Sequence, residues 1–138
     1  MQDTARPIGY WLARTDQALT AHMDALLAET DLTRLTWQVL NAVGEAPATD
    51  HAVRDAVAAN AGAPALTAAV ETLLTTGRLS RPTPDALALT EAGRTCRAEA
   101  AARVDAFRAL ATRGISNDEY TTAVGVLARM THNLTPAA

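Results

Sequence analysis

One stretch constrains the fold more than any other: GRLSRPTPDALALTEAGR, Gly77 to Arg94, which interrupts segments of helical periodicity with apolar residues at every second position. Leu79 stands between Arg78 and Ser80, and Leu87 and Leu89 alternate with Ala86 and Ala88. A period of two marks strands with one buried face. Pro82 and Pro84 fix φ and lack donors, and Asp85 suits a turn, so a compact loop joins the strands. Thr90 then caps a following helix whose positive end Glu91 favours. The chain must therefore accommodate one small β-hairpin within an otherwise helical order.

The helices around it follow from spacing and punctuation. Ile8, Trp11, Leu12, Leu19, Met23, Leu26 and Leu27 recur at steps of three and four, which predicts a long amphipathic helix with Arg14, Asp16, Gln17 and Asp24 on its solvent side. Thr33 is placed to cap a second helix with Leu35, Val39, Leu40 and Val43 inward, ending near Gly44. Asp50 is placed to cap a short third helix that turns Val53 and Val57 inward until Gly62 breaks it. Pro64 suits the first turn of a fourth, with Leu66, Val70, Leu73 and Leu74 buried until Gly77. These two short helices make a helix-turn-helix. After the hairpin, Val104, Phe107 and Leu110 supply the apolar side of a long helix ending at Gly114. Ser116 and Glu119 match a capping box for a last helix carrying Tyr120, Val124, Leu127, Met130 and Leu134. The fold class is mainly α with a small β-hairpin.

At 138 residues the chain suits one folding unit. Alanine supplies much of its 49% apolar content and buries little area per residue, so a second copy of the chain is expected to complete the core. No basic segment precedes an apolar run and no stretch is long enough to span a bilayer, which makes a cytoplasmic location and no membrane partner the expectation. Cys96 is alone, and His22, His51 and His132 are widely spaced, so neither a disulfide nor a structural zinc site is expected, nor any cofactor. Catalysis has no support either, because no nucleophile, base and acid set and no glycine-rich phosphate loop is legible. The net charge is −3 and every basic residue is arginine, so any attraction for nucleic acid must come from local placement.

The order of elements, with LTEAG at Leu89 to Gly93, LTAAVETLLTTGRLSR at Leu66 to Arg81, WQVL at Trp37 to Leu40 and the closing GISNDEYTTAVGVLARMTHNL, resembles the MarR family of bacterial transcription regulators. The resemblance covers most of the chain. It implies a winged helix-turn-helix with N- and C-terminal dimerisation helices: residues 1–138 as one unit, a lobe at 30–95, and dimer helices at 8–29 and 96–135. It also implies a homodimer on a pseudo-palindromic double-stranded operator, released when a small, often aromatic, effector binds between the dimer helices and the lobe.

Carried onto this chain, the resemblance makes Arg78 and Arg81, beside the first wing strand, candidates for phosphate contact, with Arg54 on the helix before the turn. Thr67 and Thr72 are the groove-facing candidates. Tyr10, Trp11, His22 and Trp37 fall on helices beside the effector pocket, although Trp11 and Trp37 suit core or interface anchors better than ligand contacts, and His22 an interface histidine. Cys96 reads as a small buried hydrophobe. The chain departs from the family in two places. The fourth helix, from Ala63 to Thr76, carries no base, although discrimination between base pairs rests on bidentate side chains worth roughly 1 to 3 kcal/mol each. The wing tip is short, with Ala86 and Leu87 directly after Asp85. From Thr30 to Thr95 five arginines (Arg34, Arg54, Arg78, Arg81, Arg94) meet seven acids (Asp31, Glu45, Asp50, Asp55, Glu71, Asp85, Glu91), a net of −2, whereas clustered bases supply most non-specific DNA affinity. Two functions follow: a ligand-tuned DNA-binding regulator, or a winged-helix dimer that has lost DNA binding and serves as a ligand-binding or protein-interaction module.

Overall fold

A computed structural model describes residues 5–136. Among them the order is α1 (Ile8–Ala28), α2 (Arg34–Val43), β1 (Ala48–Thr49), α3 (Asp50–Val57), α4 (Ala63–Thr75), β2 (Leu79–Ser80), β3 (Ala86–Leu89), α5 (Glu91–Ala111) and α6 (Asn117–Leu134). No helix among these residues is long and apolar enough to cross a membrane.

The helix boundaries follow the expected side chains, with one change. Thr33 caps α2 in a capping box: its hydroxyl accepts the Thr36 N–H at 3.2 Å, and its own N–H donates to Thr36 Oγ1 at 2.8 Å. Ser116 and Glu119 do the same for α6, and the Ser116 N–H holds the Glu119 carboxyl below its usual range. For α3 the cap is Thr49, whose Oγ1 accepts the Ala52 N–H at 3.0 Å; Asp50, expected to cap, is the first helical residue. Its carboxylate is engaged elsewhere.

The hairpin is part of a three-stranded antiparallel sheet in the order β1-β3-β2. Leu79 pairs with Leu89 and Ser80 with Ala88, while the short β1 sets Ala48 against Leu87 on the other edge of β3. Central β3 points Leu87 and Leu89 into the lobe, as their alternation requires. Leu27, Val39, Leu40, Val53, Leu73 and Leu87 are fully buried. Each such leucine contributes about 1.5–3 kcal/mol relative to exposure. α2 is the central element, packing on α1, α3, α4 and β3.

α4 ends at Thr75, and just beyond its cap stands Gly77, whose φ of +77° is costly for any residue with a Cβ. Thr90 then ties wing to helix. Its hydroxyl donates to the Gly77 carbonyl at 2.6 Å and accepts the Gly93 N–H at 3.0 Å, while its own N–H donates to the Arg78 carbonyl at 3.2 Å. Thr90→Ala removes both hydroxyl bonds and is expected to lower stability by about 1–2 kcal/mol, with the melting temperature down by about 5 °C. Coincident melts would show that water replaces the hydroxyl.

The chain divides into two compact units within α5, one ending at Val104 and one starting at Asp105. In the first, α5 buries Gly93, Cys96, Ala100 and Val104 along one face. Arg103 pairs with Glu29, and Arg97 and Arg94 with Glu45, so the ends of α1 and α2 are tied to α5 at their surfaces. In the second, a turn at Gly114 joins the end of α5 to α6, and none of its described residues is buried. Large apolar side chains remain exposed in both units: Ile8, Trp11, Leu12 and Leu19 on α1, and Tyr120, Val124 and Leu134 on α6.

Candidate nucleic-acid interface

Helices α3 and α4, with the wing beside them, enclose a small cleft of about 60 Å³. Val53, Leu66, Val70 and Leu87 form its floor and Asp50, Arg54, Thr67, Glu71 and Arg81 its polar rim. Three sequence candidates, Arg54, Thr67 and Arg81, thus meet at one place. Two arginines face two carboxylates there, so the cleft has no net charge.

Arg81 leaves β2 on the parity of buried Leu79 and reaches back across the lobe. Its Nη1 and Nη2 donate to the two carboxylate oxygens of Asp50 at 2.9 and 3.1 Å, and Nη1 also donates to the Pro84 carbonyl at 3.2 Å. The wing turn brings that carbonyl within reach: Thr83 Oγ1 lies 3.0 Å from Asp85 Oδ1, and the Asp85 carbonyl accepts the Asp50 N–H at 3.0 Å. A bidentate guanidinium–carboxylate pair is the stronger kind of ion pair. The Arg81 hydrogen bond, opposed by some burial and aided by the Arg81 and Arg54 charges, holds the Asp50 carboxyl below its usual range. Because the folded value is depressed, the pair stabilises the lobe above the ordinary carboxylate pKa. That contribution is lost only as pH falls through the lower, folded value.

Arg78 lies elsewhere. It has the opposite parity from Leu79, so its side chain turns to the other side of the strand, 3.7 Å from Asp31 and largely covered. There it borders a broad open cleft of about 620 Å³ with Glu29, Thr30, Asp31, Thr76, Glu91, Ala92, Thr95, Cys96 and Glu99. Arg78 and Arg81, three positions apart along a period-two strand, thus lie on opposite sides of it, each beside its own carboxylate. Cys96 is buried as expected. Its thiol lies 3.6 Å from the Thr30 carbonyl, and burial pushes its pKa up, which suppresses the reactive thiolate.

Thr72 is exposed on α4, but its hydroxyl donates to the Ala68 carbonyl at 3.0 Å one turn back. In that rotamer it offers an approaching base only an acceptor. Arg54 is exposed at the cleft edge. Of the aromatic set, Tyr10 and Trp11 form an edge-to-face pair with centroids 5.0 Å apart, and Arg6 and Arg14 lie over the Tyr10 ring at 4.9 and 5.5 Å. His22 is exposed farther along α1, and Trp37 is half-buried on α2. None of the four lines either cleft. Neither tryptophan belongs to the buried core, and Trp11 is 41% exposed. Among the described residues no cluster of three or more His, Cys, Asp or Glu side chains could hold a metal.

Asp50 and Glu71 are the residues of this site that periodicity missed as site residues. From the sequence Asp50 reads as the cap of the third helix and Glu71 as one of the lobe's acids, and only the α3–wing contact across 31 positions brings Asp50 to Arg81.

No protein-family model and no curated protein matches the sequence. Solved structures do match the fold. CouR from Rhodococcus jostii RHA1, bound to p-coumaroyl-CoA, superposes with a TM-score of 0.72 at 24% identity over 99% of this chain and 100% of its own. The reduced form of MarR from E. coli gives 0.68 at 20% identity over 91% and 93%. BpsR from Bordetella bronchiseptica, whose structure addresses regulation of DNA binding by 6-hydroxynicotinic acid, gives 0.69 at 19% identity over 96% and 98%. The fold is that of MarR-family winged helix-turn-helix regulators.

Proposed function

We propose that this chain is a homodimeric, ligand-tuned transcription regulator that binds a pseudo-palindromic operator through α4 and its wing. The observation that carries the proposal is the convergence of Arg54, Thr67 and Arg81 on one cleft beside the exposed face of α4. The fold neighbours support it: CouR is described as a transcriptional repressor, and DNA binding by BpsR is regulated by a small aromatic acid. A small aromatic effector is the corresponding ligand class here, with Trp11 and Trp37 as intrinsic fluorescence reporters.

A second reading has its own observation. α4 carries no base, Arg78 is paired with Asp31, and Arg81 is paired with Asp50. A lobe so short of available cations fits a winged-helix dimer that has given up DNA for a ligand-binding or protein-interaction role.

A mobility shift at low salt against the region upstream of the protein's own gene, with random DNA as control, separates the two. A saturable complex that weakens with salt is expected. Arg54→Ala should lower its affinity roughly tenfold at about 50 mM salt and reduce the salt slope by about 0.9, the value of one phosphate contact, whereas Arg78→Ala should leave the slope unchanged. No saturable complex, with own and random DNA bound equally poorly, favours the second reading.

A further inference from the structure

We infer that Asp50 is an intramolecular mask: its carboxylate occupies the Arg81 guanidinium in place of a DNA phosphate, and so sets the lobe's DNA affinity low. The inference rests on the DNA-binding reading above and identifies how that site is regulated within the fold.

Three of the five N–H donors of Arg81 are engaged within the lobe, two by Asp50 and one by Pro84. The side chain is nonetheless one-third exposed and borders a cleft shared with Arg54 and Thr67, so it is accessible to an anion from outside. Phosphate and carboxylate compete for the same planar fork of donors, and the same two guanidinium nitrogens cannot serve both. Asp50 holds the advantage of being covalently present at the site. It is fixed by the first turn of α3 and by its own N–H bond to the Asp85 carbonyl. Its negative charge also lies in the cleft where a phosphate bound by Arg54 would sit. Glu71 borders the same cleft and acts on Arg81 through its charge, with no hydrogen bond to it among those described. The two acids therefore separate a specific mask from a general negative field.

The test uses the full-length protein, its own upstream DNA, random duplex DNA and immobilised heparin as a sequence-blind polyanion. Asp50→Asn should raise affinity for both DNAs roughly tenfold at about 50 mM salt, steepen the salt slope by about 0.9, and delay elution from heparin. Asp50→Ala, which removes both acceptors, should do at least as much. Adding Arg81→Gln to either should return affinity, slope and elution to wild-type values. Circular dichroism establishes that each variant is folded.

The mask is overturned if Glu71→Gln produces the same gain as Asp50→Asn, since charge alone would then explain both. It is equally overturned if Asp50→Asn weakens binding, which would make Asp50 a positioning residue. A tenfold loss on Arg81→Gln alone also refutes it, because Arg81 would already be on the phosphate. Failure of the regulator reading looks different: no variant forms a saturable complex with the upstream DNA, yet the Asp50→Asn shift on heparin persists and is abolished by Arg81→Gln.

Discussion

Gly93→Ala is expected to lower stability by about 3 kcal/mol and the melting temperature by about 10 °C, although alanine is the better helix former. A Cβ built on Gly93 would lie 2.0 Å from the Arg78 carbonyl oxygen and 3.0 Å from its carbonyl carbon. Both neighbours are backbone, so no rotamer change relieves the contact. The Arg78 carbonyl also accepts the Thr90 N–H, and the Arg78 N–H donates to the Leu73 carbonyl, so moving that segment loosens the joint between α4, β2 and α5. Against this stands a helix-propensity gain of about 1 kcal/mol for replacing glycine. Backbone overlap outweighs it. A thermal melt decides the matter: an unchanged or higher melting temperature would mean that α5 does not pass this close to the wing. The same contact gives the glycine of LTEAG a physical reason, since it lets the first turn of α5 pass against the wing strand.

Local chemistry made most of the fold legible. Thr33, Ser116 with Glu119, Pro64 and Gly77 act within a few residues of themselves, and each stands where its spacing places it. β1 was not legible, because two residues, Ala48 and Thr49, are too short to show a period, and their strand exists only through pairing with β3. The exchange of Asp50 for Thr49 as the α3 cap has a related cause. Both residue types cap helices well; here Thr49 accepts the Ala52 N–H while the Asp50 carboxylate is held by Arg81, 31 positions away. The site divides along the same line. Arg54, Thr67 and Arg81 could be named from the helix-turn-helix and wing, but whether a cation is available depends on which carboxylate the fold brings to it. The strand parity that separates Arg78 from Arg81 was present in the sequence: Arg78 and Ser80 share the face opposite Leu79.

Val124→Glu is expected to convert a dimer into a monomer at micromolar concentration and to weaken binding to a palindromic operator by at least about 100-fold. On α6, Tyr120, Val124, Leu127 and Leu134 follow at steps of four, three and seven, which puts them on one helical face. That face is open in the single chain: Tyr120 is 55%, Val124 50% and Leu134 81% exposed, and no residue of α6 is buried. α1 independently exposes Ile8, Trp11, Leu12 and Leu19. Apolar stripes of this extent on two helices call for a covering surface, and the proposed homodimer supplies it with a second copy. A glutamate at the centre of such a seam would bury a charge without a partner, at a cost of several kcal/mol. In the single chain it would be a half-exposed helical glutamate that disturbs no buried contact, so the lobe should melt as before. The loss on DNA follows from valency. Two recognition helices held together gain about 10²–10⁴ over one by effective concentration, and a monomer forfeits that factor on the operator while each lobe keeps its weak electrostatic binding to random DNA. Sedimentation alongside the mobility shift separates the steps. A Val124→Glu protein that stays dimeric places the seam away from this face of α6, and one that becomes monomeric yet binds the operator undiminished removes the need for two copies on the DNA.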